Sequence, residues 1–381
     1  MAQRVGVLGA GFTAFAGRRD DVRLEELIFE AAAAALADAG ITRADIGTVV
    51  MAGADQLDGR SISSMMAAGP AGAYLKDEIR TTSEGTYAAI LACLRILSGE
   101  YEVALAITWS KTSEGPYDLI SNLSYDPFWL RPLAFNDIVE SAVVSSSYQS
   151  STTLLAEAAP AVVVKNRSHG SANPRAYLRA PVTREAILAS PYIAYPIRKA
   201  EVPQPCDGAV ALVLASEGRT LEAKRAPVWI QGFGWGTGNY TYGRGVAAEL
   251  PGLRAAATKA YAMAGVTQPA SEIDFAELYD GTPFDELFAY EALGLAPQGG
   301  SARSALQGDF LDGGRCPVNV SGGAQSTNLR FAAGMMRIVE AYLQLSGRAG
   351  PIQLAAPHQG LAQGGSTYPA QGHAVFVLRN Y

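Results

Sequence analysis

Apolar positions along the chain fall into helix-spaced and strand-like runs that return in the same order. Leu24 to Gly40 reads as an amphipathic helix ending at glycine. Glycine just past a helix is a stop signal because it accepts positive φ without a steric penalty. Ile41, Thr42 and a short turn then lead to a predicted strand, Thr48–Gly53. In the second half Leu253 to Gly265 predicts a helix, and Val266 and Thr267 lead by a turn to a strand over Phe275–Gly281. A second pair follows. Helix Thr86–Leu97 stops at Ser98-Gly99 before strand Val103–Ile107, and helix Gly334–Leu345 stops at Ser346-Gly347 before Ile352–Ala355. The third pair is Gly208–Leu214 against Gly372–Leu378. Unbroken apolar runs such as Val210–Leu214 predict strands covered on both faces.

Three matched pairs in one order point to an internal duplication in an α/β protein. The predicted halves are residues 1–220 and 228–381, meeting near Ser216–Pro227. Ser113 to Pro205 has no counterpart in the second half. It is rich in Tyr, Pro and Ser, with a helix predicted near Ser151–Arg167, and reads as an inserted cap or an interface. Its Tyr117, Tyr125, Phe128 and Trp129 suit a bulky apolar pocket or a contact surface equally.

Composition narrows the function. Of 381 residues, 49% are apolar and 17% charged, enough for a large core. The net charge is −6 with scattered basic residues, which argues against a nucleic-acid partner. No apolar run reaches about 18 residues, so no membrane span is expected. Met1–Gly11 reads as a strand and glycine turn rather than a targeting segment, and a cytoplasmic protein is expected. Cys93, Cys206 and Cys316 lie far apart and suit a reducing compartment. With three histidines and no paired Cys/His spacing, no metal site is expected.

Four stretches carry a resemblance: Cys206–Leu214, Glu277–Asp280, Tyr290–Gly294 and Pro317–Gly323. In this order and spacing they resemble the thiolase superfamily, nearest to the sterol-carrier-protein-type thiolases and the bacterial lipid-transfer group. The resemblance covers nearly the whole chain. It implies a thiolase fold of two βαβαβαββ halves in a five-layer αβαβα sandwich, acting on acyl-CoA thioesters.

A thiolase takes the acyl group on a cysteine thiolate at a helix start, where the helix end stabilises the anion. Here Thr82 falls at that position, in Thr82-Ser83-Glu84-Gly85, and only Gly85 keeps the family residue. Ser83 and Glu84 read better as helix caps. The family's oxyanion-hole histidine or asparagine becomes Tyr279. Its Gly-His-Pro motif falls on Asn328–Phe331, after the Gly322-Gly323 pair, and its second cysteine becomes Ala362 before Gly364-Gly365. Cys93 and Cys206 read as buried hydrophobes.

The resemblance extends to cysteine-less retro-aldolases that carry Tyr-Asp where this chain has Tyr279-Asp280. They split a β-hydroxyacyl-CoA, such as a steroid side chain, into a carbonyl compound and a shorter acyl-CoA. That step needs a base for the β-hydroxyl proton and donors for the enolate. Tyr279 serves as base only where its surroundings favour the phenolate or it relays a proton, and otherwise it packs at a strand end. Asp280 either orients Tyr279 or caps the helix near Pro283. Backbone N–H groups near Gly364 and Gly365 are candidate donors. The aldolases' second tyrosine is missing after the double glycine, which leaves Tyr368, His358 or Arg330 for the second role. His358 reads equally as an ordinary loop residue, and Arg330 as a surface residue or a contact to a CoA phosphate or substrate carboxylate.

The alternatives are a non-catalytic subunit and an acyltransferase using Ser83 or Thr82. The resemblance also implies a homodimer and a small OB-fold/zinc-ribbon (DUF35-type) partner. Coenzyme A is expected only as part of the substrate.

Overall fold

The structure, a computed structural model, describes residues 4–58, 64–149, 155–238, 249–365 and 372–381. Among these, nine strands form one mixed sheet. They are β1 (Val5–Phe12), β2 (Thr48–Ala52), β3 (Asp77–Thr81), β4 (Val103–Ser110) and β5 (Gly208–Ser216), then β6 (Val228–Thr237), β7 (Phe275–Glu277), β8 (Gln359–Gly365) and β9 (Gly372–Asn380). Their order is β3-β2-β4-β5-β1-β6-β9-β8-β7. The order reads outward from the centre as the same sequence of strands on each side, joined where β1 meets β6 antiparallel over Val5–Val7. In each half a parallel β2-β4 or β7-β8 pair is followed by antiparallel partners. The repeat read from sequence is thus a structural repeat.

The principal helices are α1 (Leu24–Ala39), α2 (Gly85–Leu97), α3 (Tyr117–Leu123), α4 (Asp137–Gln149), α5 (Leu155–Ala172), α6 (Pro251–Ala264), α7 (Pro283–Ala292) and α8 (Ala333–Leu345). Helices α2 and α8 fill the centre. Their Ala88, Cys93, Met335 and Ile338 pack between strands of both halves, in one core with Val210, Leu212, Phe376 and Leu378. Every residue of α8 is buried. Helix α1 covers the outer face of the first half with Leu27 and Ile28, and α6 and α7 cover that of the second with Leu253 and Phe288. The layers therefore run αβαβα. Gly232 and Gly234 let α6 lie against β6, because a Cβ would stand 2.1 Å from Ala260 O and 2.2 Å from Ala256 O.

Three expectations need correction. The second-half strand placed at Ile352–Ala355 starts instead at Gln359, since Gly350–Ile352 forms a 3₁₀ turn through Pro351. Proline fixes φ and lacks the N–H a central strand must donate. The first half has the full βαβαβαββ set, but the third strand of the second half shrinks to a bridge between Val318 and Ala276. Pro317 precedes that bridge, and Asn319 after it turns to φ 53°. Within the insertion, α5 runs Leu155–Ala172, five residues past the predicted end at Arg167, and residues 151–154 of the predicted helix lie outside the described residues. No helix among the described residues is long and apolar enough to cross a membrane.

Candidate active site

The C-terminal ends of β7 and β8 meet the N-terminal ends of α2 and α8, and Glu84 sits at the junction. Its carboxylate, at the N-cap of α2, accepts from Thr86 N–H at 2.9 Å and Thr86 Oγ1 at 2.5 Å. It also accepts from Gly334 N–H at 2.7 Å and Met335 N–H at 3.2 Å, the first amides of α8. One carboxylate thus closes two helix starts, where unpaired amides and the helix dipoles favour negative charge. Burial outweighs these donors and pushes Glu84 up to about 7. Gly364 and Gly334 make the approach possible: a Cβ on Gly364 would stand 2.6 Å from Gly334 Cα and 3.1 Å from Glu84 Oε2. Gly85 likewise admits Thr108 and Met335. Gly364 and Gly365 lie in the paired strand β8, opposite Ala374 and His373, so their smallness serves this packing.

Thr82 is exposed and Ser83 half-buried, both before the helix start that Glu84 occupies. All three thiols are buried away from it. Burial pushes Cys93 and Cys206 well above the ordinary thiol range and Cys316 up to about 12. None is a thiolate at neutral pH.

Tyr279 follows β7, and its N–H donates to Gln363 Oε1 at 3.0 Å. The ring is half-buried beside Gly281, where a Cβ would stand 3.0 Å from Tyr279 Cε1, 3.3 Å from Cζ and 3.2 Å from Asp285 Oδ2. Burial raises the phenol well above its usual value, and nearby Arg330 only partly opposes this. The phenol is therefore protonated at neutral pH. The surroundings thus do not favour the phenolate, which was the condition set for a base role, and the relay role stays open.

Arg330 is buried rather than a surface residue. Its Nη1 meets Asp137 Oδ2 at 2.8 Å, and its guanidinium lies 3.9 Å from the centre of the Tyr117 ring. Asp137, at the start of α4, also accepts from Tyr117 Oη and Ser121 Oγ, each at 3.2 Å. One turn on, Ser141 Oγ donates to Asp285 Oδ1 at 3.0 Å. Asp137 and Ser141 are four residues apart and share a helix face, so α4 bonds both Arg330 and Asp285, the charged groups near Tyr279. Tyr117 and Tyr125 are buried, whereas Phe128 and Trp129 are 79% and 78% exposed and do not line the site.

The bonds of Asp280 go neither to Tyr279, which it was expected to orient, nor to the helix near Pro283, which it was alternatively expected to cap. It accepts from Ala324 N–H, from Gln325 N–H at 3.1 Å and from Asn166 Nδ2 at 2.8 Å, closing the short helix Gly323–Ser326. Gly322 and Gly323 take φ +98° and +61°, and a Cβ on Gly323 would stand 2.5 Å from Asp280 Oδ1. The double glycine thus serves the Asp280 cap. Helix α7 is capped by Thr282, whose Oγ1 accepts from Asp285 N–H at 3.3 Å. Behind Asp280, Glu286 binds Lys165 Nζ at 2.8 Å, Asn166 Nδ2 at 2.6 Å and Asn319 Nδ2 at 2.7 Å.

His358 does not join the site. It is exposed at the start of β8, its N–H bonded to Asp274 Oδ2 at 2.7 Å and its Nδ1 3.3 Å from Asn380 Oδ1. The seven residues of β8 separate it from Gly365 by roughly 20 Å, at about 3.3 Å rise per residue. Tyr368 lies outside the described residues. Sequence reasoning missed Asp137, Ser141 and Asp285. The Thr282-x-x-Asp285 spacing signals a helix cap, but nothing local links Asp137 or Ser141 to Tyr279.

The buried carboxyls make stability depend on pH. Burial raises Glu84 and Glu277 to about 7 and Asp285 to about 6. A carboxyl whose folded pKa is raised binds its proton more tightly when folded. Its favourable contribution is complete below the unfolded value of about 4 and is lost as pH rises through the folded value. The melting temperature should therefore rise as pH falls from 8 to 6. Thermal melts across that interval test this, and a melting temperature that rises with pH contradicts it.

Residues 244–380 match the family described as Thiolase C-terminal domain-like. The chain is 27% identical to an acetyl-CoA acetyltransferase of Methanothermobacter thermautotrophicus over 94% of each protein. It is 26% identical to a steroid side-chain-cleaving aldolase of Thermomonospora curvata, with 88% of each covered. Among solved structures it superposes on an Ltp2-ChsH2(DUF35) aldolase with a TM-score of 0.85, at 24% identity, covering 99% of this chain and 98% of that one. With its αβαβα layers, its mirrored halves and two central helix starts facing the ends of β7 and β8, the chain has the thiolase fold, and over residues 244–380 it is similar to the Thiolase C-terminal domain-like family.

Proposed function

We propose that this protein cleaves a carbon–carbon bond of a β-hydroxyacyl-CoA by a retro-aldol reaction, releasing a carbonyl compound and a shorter acyl-CoA, with no covalent enzyme intermediate. One observation carries this reading. The helix start where a thiolase presents its thiolate is closed by the Glu84 carboxylate, and a protonated phenol, Tyr279, stands at the neighbouring strand end. Glu84 holds the place of a thiolate there and is no nucleophile, whereas a retro-aldol step needs only proton carriers and hydrogen-bond donors. As the Cα–Cβ bond breaks, its electron pair moves toward the thioester carbonyl. Tyr279 gives its proton to the α-carbon.

The Thermomonospora relative's name supports a bulky, steroid-type acyl group. The similar solved complex, an aldolase paired with a DUF35 protein, supports a DUF35-type partner, and a homodimer is part of the same reading. Coenzyme A enters as part of the substrate. Acyl transfer, the activity in the Methanothermobacter relative's name, needs a nucleophile that the three buried thiols do not supply.

The test is product analysis. The purified chain, alone and co-purified with a DUF35-type protein, is incubated with β-hydroxyacyl-CoA thioesters that bear a tertiary β-carbon. Equal amounts of ketone and shortened acyl-CoA are expected. No cleavage of any of them, with the partner present, would favour a non-catalytic subunit.

A further inference from the structure

We propose that Asp285 is the base that takes the β-hydroxyl proton in this cleavage, an inference that rests on the retro-aldol reading above. The site needs such a group, because Tyr279 is protonated and cannot accept. The other candidates fall away on position: His358 is at the far end of β8, Arg330 is a paired cation, Asp280 caps a helix, and Glu84 is closed in by four donors.

Asp285 has the right placement. Its Oδ2 and the hydroxyl end of the Tyr279 ring converge on the point where Gly281 lacks a side chain, at 3.2 Å and 3.0–3.3 Å from it. Gly281, Tyr279 and Asp285 are each only partly buried, while their neighbours Asp280, Thr282 and Glu286 are buried. A substrate whose Cα–Cβ bond lies over Gly281 meets a carboxylate on one side and a phenol on the other. The groups around the carboxylate are Asp137 and Ser141 on α4, Tyr279 after β7, and the Thr282 hydroxyl and N–H in the turn before α7; Arg330 is paired to Asp137. Burial holds the carboxyl near 6, so at neutral pH it is ionised yet more basic than an exposed aspartate.

The step balances without a further reactant. Asp285 takes the O–H proton, the oxygen lone pair forms the new C=O, and the Cα–Cβ pair passes to the enolate. Tyr279 protonates the α-carbon, and Asp285 then returns its proton to the Tyr279 phenolate.

The experiment compares Asp285→Asn, Ser141→Ala, Tyr279→Phe and the unchanged protein on one β-hydroxyacyl-CoA across pH 5–9. In the unchanged protein the rate falls as pH drops through about 6. Asp285→Asn is expected to lower kcat by roughly 10²- to 10⁴-fold, with little change in KM or melting temperature, and the residual rate loses the acid limb. Ser141→Ala removes a donor to the carboxylate, so its acid limb moves to higher pH. A rate in Asp285→Asn within about threefold of the parent, with the limb in place, overturns the proposal. If cleavage needs Tyr279 but not Asp285, only this inference fails. If the unchanged protein cleaves nothing, the retro-aldol reading fails with it.

Discussion

Tyr279→Phe is expected to lower kcat for retro-aldol cleavage by roughly 10²- to 10⁴-fold, the span of a lost general acid. The variant keeps the ring, its packing beside Gly281 and the backbone bond to Gln363. KM and melting temperature should therefore stay close to those of the parent, so that the loss falls on kcat. The size of the effect follows from the phenol's state. Burial holds the proton on Tyr279, and the charge that would release it, on Arg330, is engaged by Asp137 and the Tyr117 ring. Steady-state kinetics check this, and a kcat within a few-fold of the parent would remove Tyr279 from the chemistry.

Glu84→Ala is the second large effect, and it falls on the fold. It leaves Thr86, Gly334 and Met335 N–H groups and the Thr86 hydroxyl unpaired in a region where Glu84 itself is 1% exposed. Removing one partner from a buried charged network costs about 3–5 kcal/mol. Glu84→Gln fares only partly better, because one of its two terminal atoms would present N–H groups to N–H donors. Urea unfolding should show both losses, the alanine variant the larger. A loss under about 0.5 kcal/mol for Glu84→Ala would mean that water replaces the carboxylate, and that the two helix starts do not depend on it.

Much of the architecture was legible because it is local. Helix-stop glycines at Gly40, Gly99, Gly265 and Gly347 and the apolar runs of β5 and β9 mark the repeated units directly. The second-half strand was misplaced because Ile352–Ala355 has strand-like composition, while Pro351 forces a turn and the ladder forms only from Gln359. The site was legible in part, since Tyr279 at a strand end and Glu84 at a helix start follow from position in the chain. What surrounds them did not. Asp280 finds its donors 44 and 45 residues away, Arg330 finds Asp137 at a separation of 193, and Ser141 finds Asp285 at 144. Such pairings are fixed by how the insertion folds over the second half, which no local pattern encodes. His358 looked well placed because it is near Gly364 in sequence, yet a strand carries neighbours apart at full extension.

The most direct test is to weigh the protein while it works. A single turnover of a β-hydroxyacyl-CoA is quenched at intervals, and intact mass is read alongside the carbonyl and acyl-CoA products. Chemistry without a covalent intermediate predicts an unchanged protein mass as both products appear together. An acyl group on the protein that rises before the products and decays into them would contradict the account and restore a nucleophile to this chain.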